Sequence, residues 1–139
     1  EWNCKEKLHW EVLQMPFHQK LQNCIYALNH FYLKHPALYE DDFTKKGWEW
    51  THSKDETNAV LAFLRKSKEE TLLCLHHFSP EQLDHYLVPL KGAKKAQELF
   101  TTDSQEYGGS GVLNPEINIE KEGLRLSLPP LCTLIITTG

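Results

Sequence analysis

The stretch Thr71-Leu72-Leu73-Cys74-Leu75-His76-His77-Phe78 decides the fold. It is a nearly continuous apolar run of strand length, opened by the turn signal Ser67-Lys68-Glu69-Glu70. A strand with one wet face alternates apolar and polar residues, so a run with little alternation is read as a central strand. Working outward, Asn58–Arg65 is a second apolar run, and Trp48–His52 alternates aromatic and polar residues. Downstream, Leu83, His85 and Leu87 fall on one face of a strand that Pro89 closes, and Ala96–Thr102 is a weaker candidate. Ile117 and Ile119 alternate with polar residues, as do Leu124, Leu126 and Leu128, and Leu131–Thr137 ends the chain with a β-branched run. Turn signals separate these runs at Ser53–Glu56, Lys91-Gly92, Gly108–Gly111, Asn114-Pro115 and Glu122-Gly123. Seven or eight short strands at this spacing predict an antiparallel β-sandwich of about ninety residues.

Before residue 36 the period is helical. Phe17, Leu21, Cys24, Ile25, Leu28, Phe31 and Tyr32 fall at offsets that line one face of an α-helix running from Pro16 to His35. Pro16 suits a first helical turn, where its missing N–H is not needed, and Pro36 restricts His35 and ends the helix. Nothing in the N-terminal segment covers so wide a stripe. The helix is therefore expected to pack on the rest of the chain or on a further domain.

The chain has 139 residues, the length of about one domain. With 40% hydrophobic and 24% charged residues it matches globular composition, which excludes a disordered tail. Lys+Arg 15 against Asp+Glu 19 gives a net charge of -4, and only Arg65 and Arg125 are arginines, so no nucleic-acid partner is expected. No apolar run approaches the roughly 20 residues of a membrane helix, and no signal peptide is visible. Neither a membrane partner nor secretion is expected. Cys4, Cys24, Cys74 and Cys132 form no CxxC pair and read as free thiols of a reducing compartment, the cytoplasm. The chain opens at Glu1 and its only Met is Met15, so it is expected to be a piece of something longer.

The candidate chemistry is sparse. His76 and His77 are adjacent and point to opposite strand faces, so they cannot easily serve one ion; one is expected to pack and the other to be exposed. Glu40-Asp41-Asp42 reads as a solvated connector rather than a cation site. Gly108-Gly109-Ser110-Gly111 has no following Lys and no following helix, and reads as a tight loop. No metal and no cofactor are expected. Glu1, Glu6, Glu11, Glu49, Glu98, Asp103 and Glu106 are scattered and give no acid–nucleophile pair, so no catalytic residue is assigned. All four Trp (Trp2, Trp10, Trp48 and Trp50) lie in the first fifty residues. Trp48 and Trp50 share a strand face, which either stacks sugar rings or is inner core.

An ordered set of motifs carries a resemblance. Glu1-Trp2-Asn3, Leu8-His9-Trp10, Leu28-Asn29-His30, Pro36-Ala37-Leu38-Tyr39 and Asp42-Phe43 are followed by Gly47-Trp48-Glu49-Trp50, Phe78-Ser79-Pro80 and Thr102-Asp103-Ser104. Tyr107-Gly108-Gly109-Ser110-Gly111 and Leu126-Ser127-Leu128-Pro129-Pro130-Leu131 complete it. At these spacings the chain resembles, over essentially its whole length, the C-terminal part of 1,4-α-glucan branching enzymes of the α-amylase superfamily. It departs from that pattern at His76-His77 before Phe78, at Ala96-Gln97 before Glu98, and in the short stretch 114–123.

The resemblance implies a mainly β fold: an antiparallel sandwich of the α-amylase C-terminal type, preceded by a loop and one α-helix left over from a (β/α)8 barrel. Residues 1–38 would end the catalytic barrel, and residues 39–139 would form the C-terminal all-β domain. It implies an enzyme that cuts an α-1,4 glucan through a covalent glycosyl-enzyme and transfers the segment to a 6-hydroxyl. The family's three catalytic carboxylates lie upstream of Glu1, so this piece alone is expected to be inactive. Its partners would be the barrel of the same chain, with the helix stripe facing the barrel strands, and α-glucan. Trp2, Trp10, Trp48 and Trp50 are the candidate substrate-binding residues. A stand-alone carbohydrate-binding module, or the tail of a debranching or hydrolytic relative, are the alternatives.

Overall fold

The computed structural model describes residues 3–138. Its strands are β1 (Trp48–Asp55), β2 (Val60–Lys66), β3 (Thr71–His77), β4 (Leu83–Pro89), β5 (Gln97–Thr101), β6 (Asn118–Ile119), β7 (Gly123–Leu128) and β8 (Cys132–Thr137). One sheet runs β1-β2-β3-β8-β5 and the other β4-β7-β6, with every pair antiparallel. The run at 71–78 is thus the middle strand of the five-stranded sheet.

Its continuous apolarity has a simple cause: both of its faces are covered. Leu73 and Leu75 point between the sheets, where they join Val60, Ala62, Leu64, Leu134 and Ile136 against Val88, Leu124, Leu126 and Leu128 of the other sheet. Leu72 and Cys74 point the opposite way, into a second core with Phe100 and Ile135. Over that second core lies α1 (Pro16–Lys34), which contributes Cys24, Ala27, Leu28 and Phe31. The Phe31 ring sits 5.5 Å from Phe100 and stacks on His35 at 4.0 Å. All four cysteines are free; Cys74 and Cys132 are buried.

The helix stripe does not face outward as a unit. At 3.6 residues per turn its apolar positions form two adjoining flanks. Cys24, Leu28 and Phe31 seat on the chain's own sheet, whereas Phe17, Leu21 and Ile25 remain 77%, 61% and 50% exposed. The expectation that the stripe faces strands outside the chain therefore holds for one flank at most. The sheet claims the other, because a two-sided apolar β3 also needs a cover.

The connector after α1 is held tightly. Extended His35 precedes Pro36, and its Nδ1 donates to Glu70 Oε2 at 2.8 Å. Glu70 Oε1 accepts from the Ala37 amide at 3.1 Å. Arg65 donates through Nε to the Ala37 carbonyl and through Nη2 to the Leu38 carbonyl, both at 3.1 Å, and pairs with Asp42. These contacts tie residues 35–42 to β2 and to the β2–β3 turn.

Two local readings are corrected. Leu83, His85 and Leu87 do not share a face: the register with β7 shifts between Leu83 and Tyr86, where His85 has φ 54°. This bulge turns Leu83, Tyr86 and Val88 toward the core instead. The turn expected at Ser53–Glu56 starts later, because β1 runs on through Asp55. There Asp55 receives Tyr86 Oη at 2.5 Å and both nitrogens of Asn58, and His52 Nε2 donates to Tyr86 Oη at 2.9 Å. This polar knot joins the edge strand of one sheet to β4 of the other.

Candidate functional site

β1 is an edge strand, and its period of two sets Trp48 and Trp50 on the same side. That side is the outer face of the five-stranded sheet, so the inner-core alternative for this pair is overturned. The two indoles meet edge to face at 4.9 Å. Trp50 pairs with Phe63 of β2 in register, and their rings are 5.7 Å apart at 88°. Phe63 lies 5.5 Å from His76 of β3, and His76 lies 6.2 Å from Phe78, with planes within 28° and 23°. The result is a row of five rings crossing three strands. Trp50 is 46% and Phe78 59% exposed, which leaves the ends of the row open to solvent.

Beside the row a groove of about 470 Å³ runs between α1 and the sheet. Leu28, Asn29 and Tyr32 form its helical wall, and Phe63, His76, Thr102 and Thr133 lie on the sheet side. His76 Nδ1 is 2.9 Å from Thr133 Oγ1, and Thr102 Oγ1 accepts from the Thr133 amide at 2.9 Å. Burial pushes the His76 pKa below its ordinary value, which favours a neutral ring. Arg65 also lines the groove, but its guanidinium is occupied by Asp42 and the two connector carbonyls. The one charged side chain of the groove is therefore paired, and the rest of its lining is apolar with a few hydroxyl and amide groups.

The expectation that one of the two histidines is exposed is not met. His77 is fully buried between the sheets and donates from Nδ1 to the Pro129 carbonyl at 2.6 Å, leaving Nε2 without a partner. His76 is half-buried, between Phe63 and Phe78.

The structure sorts the sequence candidates unevenly. Trp48 and Trp50 are brought together and extended by Phe63, His76 and Phe78. Trp10 is exposed on a single 3-10 turn, Trp10–Gln14, that leads into α1, and it takes no part in the row. Trp2 lies outside the described residues. The sequence reading missed Phe63, His76 and Phe78 as the continuation of the Trp pair, and Asn29 as part of the groove wall. The period of two put Phe63 on one face of its strand, but only the strand pairing and register carry that face to β1.

Two of the scattered carboxylates, Asp103 and Glu49, have structural partners. Asp103 is only 6% exposed and accepts from Ser110 N at 2.9 Å, Ser110 Oγ at 2.7 Å, Gly111 N at 2.9 Å and Val112 N at 2.9 Å. It therefore shapes the Gly108–Gly111 loop, where Gly108 and Gly111 take φ of 94° and 86°, a region that favours glycine. Lys20 of α1 donates to the Gln105 carbonyl at 3.1 Å, so the loop also braces the helix. Glu49 pairs with Lys66 at the surface. Among the described residues no helix is long and apolar enough to cross a membrane.

Comparison with known proteins gives this geometry a context. The chain is 44% identical to the 1,4-alpha-glucan branching enzyme GlgB of Protochlamydia amoebophila over 97% of its length, and 37% identical to that of Prochlorococcus marinus, also over 97%. It spans 19% of either relative, about a fifth of their length. The crystal structure of an alpha-amylase from H. orenii superposes on 84% of the chain, and the chain covers 20% of that protein, with a TM-score of 0.58 and 16% identity, a likeness of fold. Residues 50–139 match the family described as alpha amylase, C-terminal all-beta domain. That span takes in all but the start of β1 and the whole sandwich, and the chain belongs to the alpha-amylase C-terminal all-β domain family.

Proposed function

We propose that this chain is the C-terminal part of a 1,4-α-glucan branching enzyme, acting in the cytoplasm on glycogen-type α-glucan. The observation that carries the reading is the 44% identity to a GlgB enzyme over nearly the whole chain, helix included. In this reading residues 1–38 end the catalytic barrel and residues 39–139 form the C-terminal domain. The full-length protein cleaves an α-1,4 bond with retention and passes the segment to a 6-hydroxyl. The acid, the nucleophile and the assisting carboxylate come from the barrel, and none is supplied here.

What this chain supplies is support and contact. The exposed flank of α1, with Phe17, Leu21 and Ile25, is an apolar strip suited to burial against the barrel, and the covered flank fastens that helix to the sandwich. The clamps at Arg65 and Glu70 make the helix and the β-domain one body. Trp2 and Trp10 belong in this reading to the loop at the catalytic face, lining the outer substrate cleft, and Trp48 and Trp50 contact glucan on the sandwich.

Product analysis of the full-length protein tests the reading. Incubation with amylose is expected to create α-1,6 linkages, read after enzymatic debranching, without a net gain of reducing ends. Net hydrolysis would refute it in favour of a hydrolytic or debranching relative. The open row of rings favours a second reading, a carbohydrate-binding module that acts alone. That reading requires the isolated chain to bind malto-oligosaccharides and the full-length protein to form no branches.

A further inference from the structure

We propose that Glu98 is a proton-operated latch on the strap 110–117: the strap is held weakly while the Glu98 carboxyl is ionised and firmly once it takes up a proton. The inference goes beyond the branching-enzyme reading and stands on the geometry of the strap alone.

The strap is held almost entirely by side chains. Among the described residues, no main-chain group of 112–117 bonds to another main-chain group. The amides go instead to two carboxylates. Asp103 takes those of Ser110, Gly111 and Val112. Glu98 Oε2, on β5, takes the Asn114 amide at 3.2 Å and Asn114 Nδ2 at 2.8 Å. Asn114 is only 6% exposed, and its side chain reaches on to β7, where it accepts from the Ser127 amide at 2.8 Å and donates to the Ser127 carbonyl at 3.0 Å. β6 pairs only with Leu124 and Arg125, so at Ser127 this one side chain stands where a strand neighbour would. Asn114 thus ties β5 of one sheet to β7 of the other, and the β5 end of the tie is Glu98 Oε2.

Glu98 is poorly placed to carry a charge. It lies opposite Ile136, an inner-core residue, so it faces the space between the sheets, where it is half-buried. The charge that faces it is of its own sign, on buried Asp103. From β8 comes the Cys132 thiol, pushed up to about 12 by burial and by these two carboxylates, and so neutral. His77, across from Cys132 on β3, keeps its Nδ1–H on the Pro129 carbonyl. The strap and Ser127 bring only neutral donors. Lys94 and Lys95, just before β5, are exposed, and among the described residues no Lys, Arg or His forms an ion pair with Glu98.

The two carboxylates are therefore unequal. Burial and the Asp103 charge push the Glu98 pKa up, against the pull of the two Asn114 bonds. Asp103, with its four donors, is held below its ordinary range, so Glu98 takes the first proton on acidification. That proton has a place to go: both Asn114 bonds fall on Oε2, and Oε1 takes no donor from the described residues. Protonation at Oε1 keeps both bonds and removes the charge that opposes Asp103. A carboxyl whose folded pKa is raised adds stability in full below its unfolded value near 4.5 and loses it as pH rises through the folded value. The strap therefore tightens from neutral pH into mild acid. It leads back through the Gly108–Gly111 loop to the Gln105 carbonyl that takes Lys20, so the latch also bears on the seat of α1.

The test is hydrogen exchange of the full-length protein, read by mass spectrometry between about pH 7.5 and about pH 5, with each rate corrected for the intrinsic pH dependence of exchange. Peptides covering 110–117 report the strap, and 71–77 on the central strand is the internal reference. Wild-type protection of 110–117 is expected to rise several-fold toward acid while 71–77 stays level. Glu98→Gln keeps an oxygen for both Asn114 bonds and removes the charge. Its strap should be as protected at the neutral end as the wild type is at the acid end, with no response to pH. Wild-type protection that is flat or falls toward acid would overturn the latch, and so would a folded Glu98→Gln strap that exchanges as fast as wild type at pH 7.5. The wild-type series needs no substitution, so it decides the question even where the variant fails to fold. Branching activity of the same preparation bears on the enzyme reading alone, so the two fail separately.

Discussion

Replacing Asp103 by Asn removes one acceptor from a carboxylate that has none to spare. Its two oxygens receive four donors, three of them backbone or hydroxyl groups on Oδ2 and one the Ser110 amide on Oδ1. An Asn oxygen can keep the three-donor side only if its NH2 is turned against the Ser110 N–H, so at least one bond becomes a donor–donor contact. A hydrogen bond to a charged group contributes about 1.5–3 kcal/mol, and a buried polar group left unpaired costs about as much. The other bonds also weaken as the charge is lost. We expect a loss of about 2–3 kcal/mol for D103N. Melting of the 139-residue chain, followed by circular dichroism, should then fall by roughly 8–15 °C, given about 4–5 °C per kcal/mol at this size. The pH dependence gives a second handle. Burial raises the Asp103 pKa, but the hydrogen bonds from Ser110, Val112 and Gly111 together outweigh it and hold the carboxyl below its ordinary range. A depressed carboxylate stabilises the fold above its unfolded pKa near 4 and loses that contribution as pH falls through the folded value. The gap between wild type and D103N should therefore be full at pH 7 and shrink in acid. A variant as stable as wild type at pH 7, or a gap that does not change with pH, would refute this account of the loop. Branching by the full-length D103N protein, measured well below its melting point, should stay within a few-fold of wild type, because the residue holds a loop and not a substrate.

Other perturbations test the remaining parts. F31A removes the ring that seats α1 on Phe100; it should cost about 2–4 kcal/mol and make α1 an early site of limited proteolysis. R65M strands the Ala37 and Leu38 carbonyls and should expose the connector 35–47 to protease first, at a cost of about 1–3 kcal/mol. The Tyr86 hydroxyl is the main force holding the Asp55 carboxyl down at about 2, so Y86F should destabilise by about 1–2 kcal/mol above pH 4 and approach wild type as pH falls toward 2. Burial pushes the Cys74 and Cys132 thiols up to about 11 and about 12; at pH 8 a thiol reagent should modify exposed Cys4 quickly, and Cys74 and Cys132 only on unfolding. Glu49→Gln breaks only a surface pair with Lys66 and should leave turnover within a few-fold; a collapse with the fold intact would place chemistry in this chain.

Much of this fold was legible from period and punctuation. The near-continuous run at 71–78 announced a strand covered on both sides, and Pro16 and Pro36 framed a helix that runs from Pro16 to Lys34. The bulge at His85 was not legible, since one extra residue in αL leaves the composition of a strand unchanged while inverting its faces. The division of the helix stripe was not legible either. An amphipathic pattern says how wide a face must be buried, not against how many surfaces.

The sequence by itself determined the element types, the central strand and the family likeness, because these depend on local periodicity and on motifs read in order. Its carboxylates are scattered along the chain and offer no acid–nucleophile pair to assign. Only the tertiary structure decided that Trp48 and Trp50 lie outside the sandwich, that Phe63 and His76 continue them, and that α1 leaves a groove beside them. Those facts depend on strand order and register, which join residues far apart in the chain. No local pattern encodes which edge a strand occupies or which face its neighbour covers.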